Sequence, residues 1–201
     1  MKIIYTRHGE TFENQKKIIQ GRMDSKLTEN GIQQAESLAL RLKDEKIDAI
    51  YTSPLSRAVK TGEIINKFHN VKLTPDKRLI EADVKSFTGV CRDDIDPDEF
   101  FKTVEQPIEM ITRLKSLLNE IYPIHKDDTV MLVGHQGIGK ALMMILMNKD
   151  PSEIRSLERL NNTSLSIFKY YEDKNHEMHL FNCTEHLDKD NIKVIKIKKG
   201  K

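Results

Sequence analysis

The sequence predicts an α/β fold, a three-layer α/β/α sandwich around a mostly parallel central sheet. Three observations carry that expectation. Short apolar runs of strand character alternate with longer runs at helical spacing. Arg7, His8, Ser53 and His135 each stand just past a strand-like run, where parallel sheets gather their ligands. The chain has 201 residues, with no internal repeat or dividing linker, which suits one domain over residues 1–201.

Taken in order, Lys2 to Thr6 reads as a buried strand followed by a polar loop to about Ser25. Thr28 suits a helix N-cap, with Ile32, Ala35, Ala39 and Leu42 at helical spacing behind it. Asp48 to Thr52 is a second strand. Ser53-Pro54 then offers a cap and an N1 proline to a helix carrying Ala58, Val59, Ile65 and Phe68. Val71 to Thr74 and Arg78 to Ala82 are weaker strand candidates. Asp83 to Gln106 is acidic and irregular. Pro107 opens a helix through Ile121, Thr129 to Val133 is the clearest strand, and Gly137 to Met147 continues as a helix. Leu165 to Tyr171 and Glu177 to Cys183 alternate like a late hairpin. The terminal stretch of about 189–201 interleaves Ile192, Val194, Ile195 and Ile197 with lysines, as a protected edge strand or a tail does.

Composition narrows the function classes. Charged residues make up 32% and hydrophobic ones 38%, a globular balance, and a net charge of +2 calls for neither nucleic acid nor membrane. No apolar run approaches a membrane span, and no signal peptide is visible. Cys91 and Cys183, without metal-like spacing, suit a reduced cytoplasmic setting. Two loop motifs fail. Gly134 to Ala141 fits GxxxxGK, but alanine stands where a Mg²⁺-holding hydroxyl is required. Cys91 has Pro97 six residues on, where a cysteine phosphatase needs arginine. No HExxH pair or Cys/His cluster suggests a metal.

What remains is a histidine between an arginine and a glycine, Arg7-His8-Gly9-Glu10-Thr11, with Asn14 beyond. This stretch, with Gln20-Gly21, Leu27-Thr28-Glu29-Asn30-Gly31, Ser53-Pro54-Leu55-Ser56-Arg57-Ala58, Leu79-Ile80-Glu81 and Val133-Gly134-His135-Gln136-Gly137, resembles the histidine phosphatase superfamily, the phosphoglycerate mutase-like proteins. The resemblance covers most of residues 1 to 168. It implies that His8 takes the phosphoryl group while Arg7 and Arg57 grip its oxygens. It also implies that His135 adds a donor, best in its protonated form, and that Glu81 serves as acid and then base. Asn14, and less directly Gln20 and Gly21, would assist phosphate binding, and no metal or other cofactor is implied. Asp83 is a rival to Glu81, because the residues after the acid depart from the commoner family pattern. Asn161 or Asn162 resembles a late asparagine near the pocket.

Members of this family either release phosphate to water or move it between hydroxyls. A short lid, about residues 83–110, favours a phosphatase acting on a small phosphorylated metabolite over a mutase. A non-catalytic phosphate-binding module is the third possibility. If Asp93, Asp94, Asp96, Asp98 and Glu99 face the pocket, they would repel additional phosphates. The oligomeric state is not readable from the sequence.

Overall fold

The computed structural model describes residues 1–173 and 175–188. The terminal strand or tail expected at 189–201 lies outside the described residues. Six strands form one sheet in the order β3-β2-β4-β1-β5-β6. They are β1 (Lys2–Arg7), β2 (Ala49–Thr52), β3 (Leu73–Pro75), β4 (Thr129–Gly134), β5 (Leu165–Lys169) and β6 (Glu177–Cys183). The pairings from β3 through β1 are parallel, and β5 and β6 add an antiparallel hairpin at one side. The helices are α1 (Phe12–Gln15), α2 (Glu29–Leu42), α3 (Ser56–Asn66), α4 (Pro97–Thr103), α5 (Pro107–His125) and α6 (Gln136–Leu146).

Strand alternation divides the core between the two faces. Ile4, Ile50, Met131 and Val133 pack with Leu38, Ala39, Ile64 and Ile65 of α2 and α3. Ile3, Tyr5, Val130 and Leu132 pack with Leu114, Leu117, Ile138 and Leu142 of α5 and α6. Successive residues of one strand point to opposite faces, so a run of unbroken apolar residues serves both layers. The three-layer expectation therefore holds.

Several local expectations are corrected. The loop before Ser25 contains α1, where the Thr11 side chain accepts from the Asn14 amide and the Asn14 side chain answers at the Thr11 amide. Helix α3 starts at Ser56, two residues after Pro54. Ser53 Oγ instead accepts from the Leu55 amide, making a turn ahead of the helix. Arg78 to Ala82 is not a strand. Asp76 caps a 3-10 turn at Lys77–Leu79 and holds the Arg78 guanidinium at 2.6 Å. The acidic segment is more ordered than expected, because Asp96 caps α4 and Pro97 fills its first turn.

Candidate active site

Strands β1 and β4 lie side by side, with Arg7 in register with Gly134. The chain therefore delivers Arg7-His8 and His135 to the same end of the sheet. His8 is 2% exposed, and its Nδ1 lies 2.7 Å from the Gly9 carbonyl. A carbonyl only accepts, so Nδ1 carries the proton and Nε2 keeps its lone pair. Burial, and then the charges of Arg7 and Arg57, hold the imidazole well below the usual histidine range, against the opposing pull of the Gly9 bond. Both effects favour the neutral ring, with the lone pair on Nε2. The Gly9 amide donates to Thr61 Oγ1 at 3.0 Å. A Cβ at Gly9 would stand 2.4 Å from the Gly31 carbonyl oxygen, so this close crossing of backbones requires glycine.

Two buried guanidiniums flank the ring. Arg7 donates one nitrogen to the Leu160 carbonyl at 2.9 Å, while its Nε is buried without a partner. Arg57, on the first turn of α3, donates to the carbonyls of Met23 at 2.7 Å and Gly21 at 2.8 Å. Its Nε donates to His135 Nδ1 at 3.3 Å. Desolvation lowers both arginines to about 10, opposed by the charge of Glu81, and both remain cations at neutral pH.

The Arg57 contact fixes the state of His135. A ring nitrogen that accepts from a guanidinium carries no proton, so the proton of a neutral ring sits on Nε2, which is buried and unpartnered. Burial first, then Arg57, His8 and Arg7, push this histidine well below the usual range. The expectation that His135 donates in protonated form is corrected: it offers one N–H from a neutral ring. The His8 and His135 rings lie 5.1 Å apart, with His135 fully buried behind the cavity wall.

Glu81 sits on the N-terminus of α6. Its Oε1 accepts from the amides of Ala82, Gly137 and Ile138 at 2.8, 2.9 and 3.1 Å, and Oε2 from Gly137 at 3.1 Å. The amides that a nucleotide-binding loop would offer to phosphate are thus occupied by the chain's own carboxylate. Asp83 points elsewhere. It bonds Lys85 Nζ at 2.6 Å, and that bond chiefly holds its carboxyl below the ordinary range.

A cavity of about 230 Å³ opens over these groups, lined by Arg7, His8, Asn14, Gln20, Gly21, Arg57 and Glu81. Asp83 and the acids of the 93–99 stretch do not line it. The expected repulsion of extra phosphates by those acids has no structural basis. Of the two late asparagines, Asn162 takes the position near the pocket, donating to the His8 carbonyl at 2.8 Å and to Asn14 Oδ1 at 3.3 Å. Sequence reading missed Lys140, Arg159, Glu105 and the aromatic wall of Phe100 and Phe101. The Phe100-Phe101 pair was visible, but nothing local shows that α4 turns it toward His8.

The histidine phosphatase superfamily (branch 1) model matches residues 3–184. The chain belongs to that superfamily. It is 31% identical to phosphoserine phosphatase 1 of Hydrogenobacter thermophilus, over 93% of this chain and 94% of the relative. It is likewise 31% identical to the uncharacterised phosphatase PhoE of Bacillus subtilis, over 86% and 90%. Among solved structures, Bacillus stearothermophilus YhfR superposes with a TM-score of 0.85 at 27% identity, covering 93% of this chain and 99% of that one. A phosphoserine phosphatase mutant of Entamoeba histolytica in complex with phosphoserine gives 0.83 at 26% identity, covering 93% and 99%. Membership and relatives of this kind support a phosphatase enzyme.

Proposed function

We propose that this histidine phosphatase hydrolyses a small phosphorylated metabolite, without a metal, through a phosphohistidine on His8. The observation that carries the reading is one cavity lined by Arg7, His8, Arg57 and Glu81, with two buried donors that lack partners, Arg7 Nε and the Nε2 of His135, whose ring lies 5.1 Å from that of His8. Buried donors are almost always satisfied, so an anion that completes them is favoured here. In the first step, His8 Nε2 attacks phosphorus and the ester P–O bond breaks. The leaving oxygen takes a proton from Glu81, whose Oε2 carries fewer amide bonds than Oε1. In the second step, Glu81 accepts a proton from water, the water oxygen bonds phosphorus and the P–N bond breaks. Arg7 and Arg57 provide the positive charge that stabilises the transferring group, and Asn14 and Gln20 border the same space.

The segment 83–110, with α4, acts as the short lid over this cavity and leaves room for water. Phosphoserine is the first substrate to test, since relatives carry that name. Purified protein should release phosphate from p-nitrophenyl phosphate in the presence of a chelator, and an acid-labile phosphoryl group should be trapped on His8. Conversion of 3- to 2-phosphoglycerate with negligible hydrolysis would make it a mutase. Absence of any phosphohistidine would leave a binding module.

A further inference from the structure

The cavity in front of His8 is cationic at its floor and apolar above. Ile19, Val84, Phe100, Phe101, Met110 and Ile154 form the upper wall. The wall is held in place. Phe100 packs on Phe87 at 5.2 Å and on Phe101 at 5.5 Å between ring centres. Arg155 lies over the Phe101 ring at 4.6 Å and bonds Asp98 at 3.0 Å, which ties α4 to the turn that supplies Ile154.

Most charges near the wall are already engaged. Glu105 bonds Arg22 at 3.1 Å and Arg113 at 2.9 Å, and Lys140 donates to the Ile154 and Leu157 carbonyls. Asp93 pairs with Lys17 and Asp96 caps α4. Arg159 is exposed. Away from Gln20 and Gln136, whose oxygens are buried without partners, a leaving group rich in hydroxyls would meet few partners against Phe100 and Phe101, and burying unpaired polar groups is costly. An apolar body gains from each methylene it buries there.

Resting on the phosphatase reading above, we propose that the preferred substrate is the phosphate monoester of an apolar alcohol, whose body packs against the Phe100–Phe101 wall while its phosphate meets Arg7 and His8. The test compares n-hexyl phosphate, ethyl phosphate and glycerol 1-phosphate, whose alkoxide leaving groups are of similar basicity. Hexyl phosphate should exceed ethyl phosphate at least about 10-fold in kcat/KM, given what four buried methylenes can contribute. Glycerol phosphate should do no better than ethyl phosphate. Phe101→Ser should shrink the hexyl-to-ethyl ratio at least about threefold, losing part of that buried area. Hexylphosphonate should inhibit p-nitrophenyl phosphate hydrolysis more strongly than ethylphosphonate, which repeats the comparison on binding alone. Equal turnover of the three esters, or preference for glycerol phosphate, by an enzyme that hydrolyses p-nitrophenyl phosphate overturns the apolar wall and leaves the phosphatase reading intact. No release from any ester and no phosphohistidine on His8 overturns the phosphatase reading itself.

Discussion

Two cavities of the described residues differ in what lines them. The one over His8 measures about 230 Å³, while another, bounded by α5, α6 and β5, measures about 590 Å³. The larger one is lined by residues such as Ile111, Lys115, Tyr122, Met144 and Tyr170, with His176 stacked on Tyr170 at 4.5 Å. Among the described residues, no buried side-chain polar atom lacking a partner belongs to its lining. The smaller cavity has such atoms on Arg7, Gln20 and Gln136, with His135 Nε2 just behind. Size follows from how helices happen to meet. Unsatisfied buried polar groups cost stability, and they persist where a ligand completes them.

The largest effect should come from the nucleophile. His8→Ala should cut phosphate release from p-nitrophenyl phosphate by at least about 10⁴-fold. Lys115→Ala, on the rim of the larger cavity, should leave it within about twofold. Parallel initial-rate measurements on the two variants check this, and a comparable loss from both would erase the distinction between the cavities.

Arg57→Lys comes next. An ammonium cannot reproduce three bonds from one fork, to the Met23 and Gly21 carbonyls and to His135 Nδ1. Without the last of these, His135 is no longer fixed with its proton on Nε2. The expected loss is roughly 10²- to 10³-fold in kcat/KM, read by steady-state kinetics on the folded variant. A loss below tenfold would mean that charge alone suffices.

This second variant marks the boundary of what the sequence conveys. Arg7, His8 and Arg57 stand where a strand ends or a helix opens, and strand ends on one side of a parallel sheet converge; Glu81, which follows a 3-10 turn rather than a strand, is legible through the family resemblance alone. The charge state of His135 is not legible, because it depends on α3 packing against β4 so that Arg57 Nε meets Nδ1. The start of α3 was misplaced for a related reason: Ser53 and Pro54 look like a cap locally, but Ser53 is held by its amide bond to the Val133 carbonyl at 2.9 Å and makes a turn instead. Asp83 is a rival to Glu81 in the sequence alone; in the structure Lys85 holds it.

A smaller effect concerns His186, a buried histidine beside Thr163. His186 is 3% exposed, and burial, with Arg41 nearby, lowers it to about 4. Below pH 6.5 the unfolded chain takes up a proton that the folded chain refuses, so this contribution is intact above pH 6.5 and is lost as pH falls toward 4. Between pH 7 and pH 5 the loss amounts to about 2 kcal/mol. Urea denaturation at the two pH values should show His186→Gln losing about that much less than the parent protein. An identical pH dependence would mean that His186 titrates normally.

The subtlest difference lies within α6, whose first turn serves the site and whose later turns serve the core. Gly137 is in that first turn, and alanine there would gain about 0.5–1 kcal/mol of helix propensity. Its Cβ, however, would stand 2.7 Å from Glu81 Oε1 and 3.2 Å from Ala82 Cβ. The carboxylate is the easier of the two to displace, and moving it breaks the bonds to the Gly137 and Ile138 amides that aim it at the cavity. Gly137→Ala should therefore gain nothing in urea midpoint, the broken amide bonds offsetting the helix propensity, while kcat falls about tenfold, the size expected for a misplaced general acid. The fall should be steeper for alkyl phosphates than for p-nitrophenyl phosphate, because a good leaving group needs its proton less. An equal fall for both would assign the damage to phosphate binding rather than to proton transfer, and would move Glu81 out of the acid's role.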